Sequence, residues 1–408
     1  MKIIDGGVTA PKGFFAAGLR AGMKPGKTNK DMAMIFSQQP AVVAGTFTRN
    51  IVKAAPVLWG QKIVGEQEIV RAVVVNTGIA NACTGTQGYE NVLKEATLVS
   101  EELEIKQEEV LVGSTGVIGQ QLPMEAIEKG IKMLVPQLKH DRQSSKDAAE
   151  AILTTDTKSK EAAVTVEIGG KEVTIGGICK GSGMIHPNMG TMLGFIATDV
   201  DIEKQLLLEL QREIVEDTFN MISVDGDTST NDTVFVMANG MAENKKITEK
   251  NADYQAFKEA LVSVNTALAK QIAGDGEGCT RLFEVRVAGA DTKEHAKVLS
   301  KSVVTSNLTK AAIYGKDANW GRILCAMGYS GAEFDPEKVD IALKSKAGTI
   351  HIVKDGIATD YSEEEATKIL SEDSVTADID VHNGTWEATA WGCDLTHEYV
   401  SINADYRS

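Results

Sequence analysis

The residue types best suited to chemistry sit in one run: Lys180-Gly181-Ser182-Gly183-Met184-Ile185-His186-Pro187-Asn188-Met189-Gly190-Thr191-Met192-Leu193-Gly194-Phe195-Ile196-Ala197-Thr198-Asp199. Within it a hydroxyl directly follows a glycine. Gly190 leaves its carbonyl carbon sterically open and can hold backbone shapes barred to other residues. A hydroxyl at Thr191 could attack that carbonyl and form an ester that water then opens. Lys180 could set a cation nearby, at the head of a Gly-Ser-Gly approach that reads as flexible. The plain alternative is a β-branched residue that merely opens a strand. Four other segments group polar types closely. Ser114-Thr115-Gly116-Val117-Ile118-Gly119 follows a strand-like run at 109–112 and pairs a hydroxyl with an approachable glycine N–H, or is only a strand-to-helix turn. Thr154-Thr155-Asp156-Thr157 is a short polar run whose plain reading is the end of a helix with polar caps. Gly274-Asp275-Gly276-Glu277-Gly278-Cys279-Thr280 carries a glutamate on a glycine-rich loop. The chain finishes Ser401-Ile402-Asn403-Ala404-Asp405-Tyr406-Arg407-Ser408, where chain ends are commonly frayed.

These segments need elements to hold them. Apolar runs at 31–36, 41–48 and 71–76, bounded by Gly, Pro or Asn, read as strands. Periodicity predicts helices over 90–103 and 123–138, with Pro123 at a first helical position. A shorter helix is expected over 145–153, capped by Ser144. Runs 161–168 and 171–175 alternate around Gly169-Gly170, a hairpin signal because both turn positions tolerate positive φ. A strand is expected over 191–198. Ile202, Leu206, Leu210 and Ile214 then mark an amphipathic helix capped by Asp201. Strands follow at 233–238 and 282–287, with a long helix over 254–272 between them. Asn383-Gly384 suggests a late hairpin between 375–381 and 386–391. This mixture favours an α+β fold over a doubly wound parallel sheet.

Composition narrows the function. The chain has 408 residues, 43% hydrophobic and 24% charged, as in an ordinary globular protein of two or three units. A net charge of −15 argues against a nucleic-acid surface. The N-terminus shows no signal-peptide pattern and no run is long enough for a membrane helix, so a cytoplasmic protein is expected. The cysteines Cys83, Cys179, Cys279, Cys325 and Cys393 are odd in number and scattered, which suits reduced, buried thiols. Several motifs fail. Gly26-Lys27-Thr28 lacks the earlier glycine of a phosphate loop, since Ala21 stands there. Gly274-Asp275-Gly276 lacks the third glycine of a dinucleotide fingerprint. Asp225, Asp227 and Ser229 lack the glycine and closing glutamate of a calcium loop. His397-Glu398 lacks the second histidine of a zinc-protease helix. Met184, Met189 and Met192 read as core filler.

Taken together and in order, these segments resemble the glutamate N-acetyltransferase (ornithine acetyltransferase) family of arginine biosynthesis. The resemblance extends to Ser223-Val224-Asp225-Gly226-Asp227-Thr228-Ser229-Thr230-Asn231-Asp232-Thr233, read as scaffold, and to Ala312-Ile313-Tyr314-Gly315-Lys316-Asp317-Ala318-Asn319-Trp320-Gly321-Arg322, read as architecture. It implies self-cleavage of the Gly190-Thr191 bond into pieces 1–190 and 191–408, with Thr191 then both nucleophile and N-terminal amine base. It assigns Thr115 and Gly116 to the oxyanion hole. It assigns substrate binding to Thr154, Lys180, Thr191, Glu277, Asn403 and Ser408, where the family often ends in threonine. It implies an α+β fold similar to the Ntn-hydrolase α/β/β/α sandwich, with a smaller C-terminal α/β domain from about 291. It also implies an α2β2 assembly and transfer of acetyl from N2-acetylornithine to glutamate with no metal or cofactor. Acetyl-CoA stays open as a co-substrate. Two other readings remain: a self-processed aminopeptidase or amidohydrolase of related fold, and a binding protein that has lost catalysis.

Overall fold

The computed structural model describes residues 1–23, 26, 28–186 and 192–406. Short apolar runs become the strands of two sheets. The larger holds β1 (Lys2–Ile4), β2 (Phe14–Leu19), β3 (Met32–Phe47), β4 (Ile69–Ile79), β5 (Val110–Val117), β6 (Lys160–Ile168), β7 (Lys171–Lys180), β8 (Leu193–Thr198) and β9 (Thr233–Ala238). Its order is β1-β6-β7-β8-β9-β3-β4-β5, with β2 also on β3. The smaller holds β10 (Leu282–Ala290), β11 (Asp340–Ser345), β12 (Gly348–Lys354), β13 (Ile357–Ala358), β14 (Ser374–Asp380) and β15 (Trp386–Cys393), in the order β13-β12-β11-β14-β10-β15. Most pairings are antiparallel; β4–β5, β8–β9 and β10–β14 are parallel.

Helices cover both sheets: α1 (Ala55–Glu66), α2 (Gly85–Leu103), α3 (Met124–Leu134), α4 (Arg142–Ala151), α5 (Lys204–Asp217), α6 (Ala252–Ala273), α7 (Lys293–Thr305), α8 (Asn307–Gly315), α9 (Trp320–Gly328), α10 (Glu363–Leu370) and α11 (His397–Asp405). Alternation decides which face each strand buries. In β8, Phe195 and Ala197 join an apolar core with α1 to α4, while Ile196 joins the core of α5 and α6. That second core continues through Phe283, Val285 and Val287 of β10 to the buried face of the smaller sheet. The opposite face there is polar, with Arg286 paired to Asp378 at 2.9 Å. The layered α+β architecture is the expected class. No described helix is long and apolar enough to cross a membrane.

Local differences from expectation have simple causes. The runs at 31–36 and 41–48 form one strand, β3, with a register shift between Phe36 and Ala41. Pro40 falls in that shift, where a residue without an N–H is tolerated. Helix α4 begins at Arg142, earlier than predicted, because Asp141 rather than Ser144 is the cap: the Ser144 N–H donates to Asp141 at 2.7 Å. Helix α5 begins at Lys204, past the predicted cap Asp201; Ile202 instead bridges to Ile247. The Gly169-Gly170 hairpin joins β6 to β7 with φ of 57° and 75°. The Asn383-Gly384 segment makes no hairpin. Strand β10 lies between β14 and β15, so the segment crosses over its end. A Cβ on Gly384 would come within 2.3 Å of the Ala290 carbonyl oxygen, so the glycine serves close approach rather than a tight turn. All five cysteines are free, yet only Cys179 and Cys393 are buried; Cys83 and Cys325 are exposed.

Candidate active site

Six of the predicted site residues meet. Thr115, Gly116, Thr154, Lys180, Glu277 and Asn403 line one cleft holding about 730 Å³ of open space, its mouth included. They come from the end of β5, the segment after α4, the end of β7, the loop after α6, and α11. Met192, next in the chain after Thr191, also lines it, and its carbonyl accepts the Thr233 N–H at 3.0 Å. Gly190, Thr191 and Ser408 lie outside the described residues.

The Thr115-Gly116 corner is fixed from beneath. Asn231 donates from its amide to the carbonyls of Ala80 (2.6 Å) and Ser114 (2.8 Å). The Ser114 hydroxyl donates to Asn76 Oδ1 at 2.6 Å, and the Asn76 amide donates to the Ile79 carbonyl at 2.9 Å. Gly116 has a φ of 131°, and a Cβ there would lie 2.2 Å from the Gly78 carbonyl carbon. Only glycine fits.

Behind the cleft lies a buried charge cluster. Asp156, whose side chain is 0% exposed, accepts from Lys160 Nζ at 2.7 Å and from the Gly181 N–H at 2.7 Å. Its other oxygen accepts the Thr154 N–H at 3.2 Å and sits 4.0 Å from Lys180 Nζ. Burial alone would raise the Asp156 carboxyl; Lys180 and then Lys160 outweigh it and hold it at about 2. Lys160 also donates to Asp275 at 2.6 Å. Burial opposes the Lys160 charge, but Asp156 and Asp275 prevail and raise its pKa. Asp275 further accepts the Thr157 N–H at 3.0 Å and the Thr157 hydroxyl.

The Lys180-Gly181-Ser182-Gly183 approach is anchored rather than flexible. The Ser182 hydroxyl donates to the Asp275 carbonyl at 2.6 Å, and the Glu277 N–H donates to the Ser182 carbonyl at 3.0 Å. Asp225 accepts the N–H groups of Met184 (2.6 Å) and Ile185 (2.9 Å), which is the scaffold role expected of its run. The same run also lines the cleft with Ser229, Thr230, Asn231 and Asp232. None of 312–322 lines it. Met184, expected as core filler, is exposed at the rim. Burial and then Lys301 lower His186 to about 4, so its imidazole is neutral near pH 7. Sequence reasoning missed Gly183, Asp156 and Asn231 as parts of the site. For Asn231 the signal was there, in the density of small polar residues around it.

One family accounts for nearly the whole chain. That family's sequence pattern, the ArgJ family, matches residues 15–408. The chain belongs to the ArgJ family. The arginine biosynthesis bifunctional protein ArgJ of Caldanaerobacter subterraneus subsp. tengcongensis is 49% identical to this ArgJ-family chain over 408 residues, covering 100% of both. That of Symbiobacterium thermophilum is 50% identical over 411 residues, again covering 100% of both. Among solved structures, the ArgJ bifunctional protein from Bacillus halodurans is similar with a TM-score of 0.51 and 50% identity, over 53% of this chain and 100% of that one.

Proposed function

We propose that this chain is an acyltransferase of arginine biosynthesis, moving acetyl from N2-acetyl-L-ornithine to L-glutamate through an ester on Thr191. The observation that carries the reading is the meeting of Thr115, Gly116, Thr154, Lys180, Glu277 and Asn403 at one cleft that Met192 also lines. The family relatives, named as bifunctional proteins of arginine biosynthesis, support it; acetyl-CoA as a second donor is part of the same proposal.

In this reading the Thr191 hydroxyl first attacks the Gly190 carbonyl. The peptide C–N bond breaks, and water hydrolyses the resulting ester. The pieces 1–190 and 191–408 remain associated as α2β2. An α-amino group ordinarily titrates near about 8, so the freed Thr191 amine is partly neutral in the cytoplasm. It takes the proton of its own hydroxyl as the oxygen attacks the acetyl carbonyl. The Thr115 hydroxyl and Gly116 N–H face the developing oxyanion. The amide C–N bond then breaks, the proton passes to the leaving nitrogen, and ornithine departs. Glutamate enters and its amine takes the acetyl group by the reverse steps. The substrates carry both signs of charge, and Lys180 and Glu277 offer a matching pair, with Thr154, Asn403 and Ser408 completing the binding. The chemistry requires no metal or cofactor.

The test is a paired assay on purified protein, with intact-mass measurement. Transfer from acetylornithine to glutamate, parallel double-reciprocal lines and a chain beginning at Thr191 are expected. Thr191→Ala stays uncut and inactive. A variant with wild-type turnover overturns the mechanism. Release of free amino acids from peptides without acetyl transfer would favour an aminopeptidase instead.

A further inference from the structure

Lys180 touches two things besides the cleft. Its Nζ lies 3.4 Å from Thr115 Oγ1 and 4.0 Å from Asp156 Oδ2. An ammonium has donors only, so the Thr115 oxygen must accept from it. Among the described residues that is the one hydrogen bond Thr115 Oγ1 makes. The hydroxyl's own hydrogen is left to point elsewhere, and Thr115 borders the cleft. A cation on the oxygen also polarises the O–H bond toward donation. The direction in which Thr115 donates is therefore set by where Lys180 is held.

Asp156 holds it. Both carboxylate oxygens are committed: one to Lys160 and the Gly181 N–H, the other to the Thr154 N–H and the Lys180 charge. The cluster balances two lysines, Lys160 and Lys180, against two carboxylates, Asp156 and Asp275. A fully buried carboxylate cannot reach substrate, so its influence passes through Lys180.

We propose that Asp156 is a positioning residue for acyl transfer: by holding Lys180 against the Thr115 oxygen, it fixes the Thr115 hydroxyl as a donor into the cleft. This rests on the acetyl-transfer reading above, with Thr115 in the oxyanion hole.

The experiment is a double-mutant cycle on self-cleaved protein, with the cleaved fraction measured by intact mass. Asp156→Asn keeps the shape and removes the charge. It is expected to lower kcat by about 10- to 100-fold, the scale of one charge-assisted hydrogen bond, with KM for acetylornithine nearly unchanged. In a Thr115→Ala background the same change is expected to cost almost nothing, since there is no hydroxyl left to orient. Full additivity in the two backgrounds, or wild-type kcat for folded Asp156→Asn, overturns the proposal. If Asp156→Asn does not fold or cleave, Lys180→Gln replaces it, leaving Asp156 paired with Lys160; because Lys180 also meets substrate, KM rises in both backgrounds, while the loss of kcat is expected to vanish in the Thr115→Ala background, and an additive loss of kcat is again fatal. A wild-type protein with no acetyl transfer would instead sink the acetyl-transfer reading, whatever the variants do.

Discussion

The Asn403 amide donates to Glu277 Oε2 at 2.7 Å, tying helix α11 to the loop after α6 at the cleft. Gly183 completes the arrangement from the other side. A Cβ there would lie 2.3 Å from the Glu277 carboxyl carbon. The obstructed group is the far end of a flexible side chain, so the fold can yield where the carboxylate cannot stay put. Gly183→Ala is therefore expected to raise KM for both substrates by about tenfold through misplacement. Its melting temperature should stay close to wild type. Unchanged KM would show that Glu277 does not contact substrate from its present position.

Gly116 presents the opposite case. The atoms it would strike are backbone, and its φ of 131° is barred to alanine. Gly116→Ala should both destabilise the protein and abolish turnover. Thr115→Ala removes a donor without strain. It should leave the melting temperature nearly intact and lower kcat by about 10²–10³, as loss of one oxyanion donor does. Steady-state kinetics beside thermal melting separates the two. A Thr115→Ala variant with full kcat would remove Thr115 from the oxyanion hole.

Asn231 links the two halves of this corner. Asn231→Ala leaves the Ala80 and Ser114 carbonyls without their amide partner in a buried setting. Stability should fall by roughly 2–4 kcal/mol, from two uncompensated acceptors. Chemical denaturation measures it, and kcat should fall as well because the Thr115 strand end loosens. A neutral result would mean that water replaces the amide.

What the sequence made legible was local or typed by motif. Gly169-Gly170 announced a hairpin because its turn chemistry lies within the turn itself. Asn383-Gly384 looked the same, but strand β10, which separates the two flanking strands, enters from far earlier in the chain. The same limit applies at the site. Thr115, Lys180 and Glu277 were found as motif members. The cluster that supports them was not, because Lys160 and Asp275 pair across 115 residues and no spacing rule reaches that far. The glycines on either side of Ser182 suggest flexibility, although its hydroxyl and carbonyl are both bonded across the fold.

Glu95, on the buried face of α2, is 0% exposed, and neither carboxyl oxygen has a hydrogen-bond partner among the described residues. Burial pushes its pKa up from 4.5 to about 8. The folded chain holds the proton more tightly than the unfolded one, so this group's contribution is fully present below about pH 4.5. It is then lost progressively as pH rises to about 8. Each pH unit in that window is worth about 1.4 kcal/mol, so neutral pH costs roughly 3 kcal/mol relative to a group that does not titrate. Glu95→Met, similar in size and without charge, should therefore be more stable than wild type at pH 8, with a gap that narrows steadily toward pH 5. Thermal melting across that range checks it. A gap independent of pH would mean that Glu95 does not titrate within the window, and that its burial is relieved in solution.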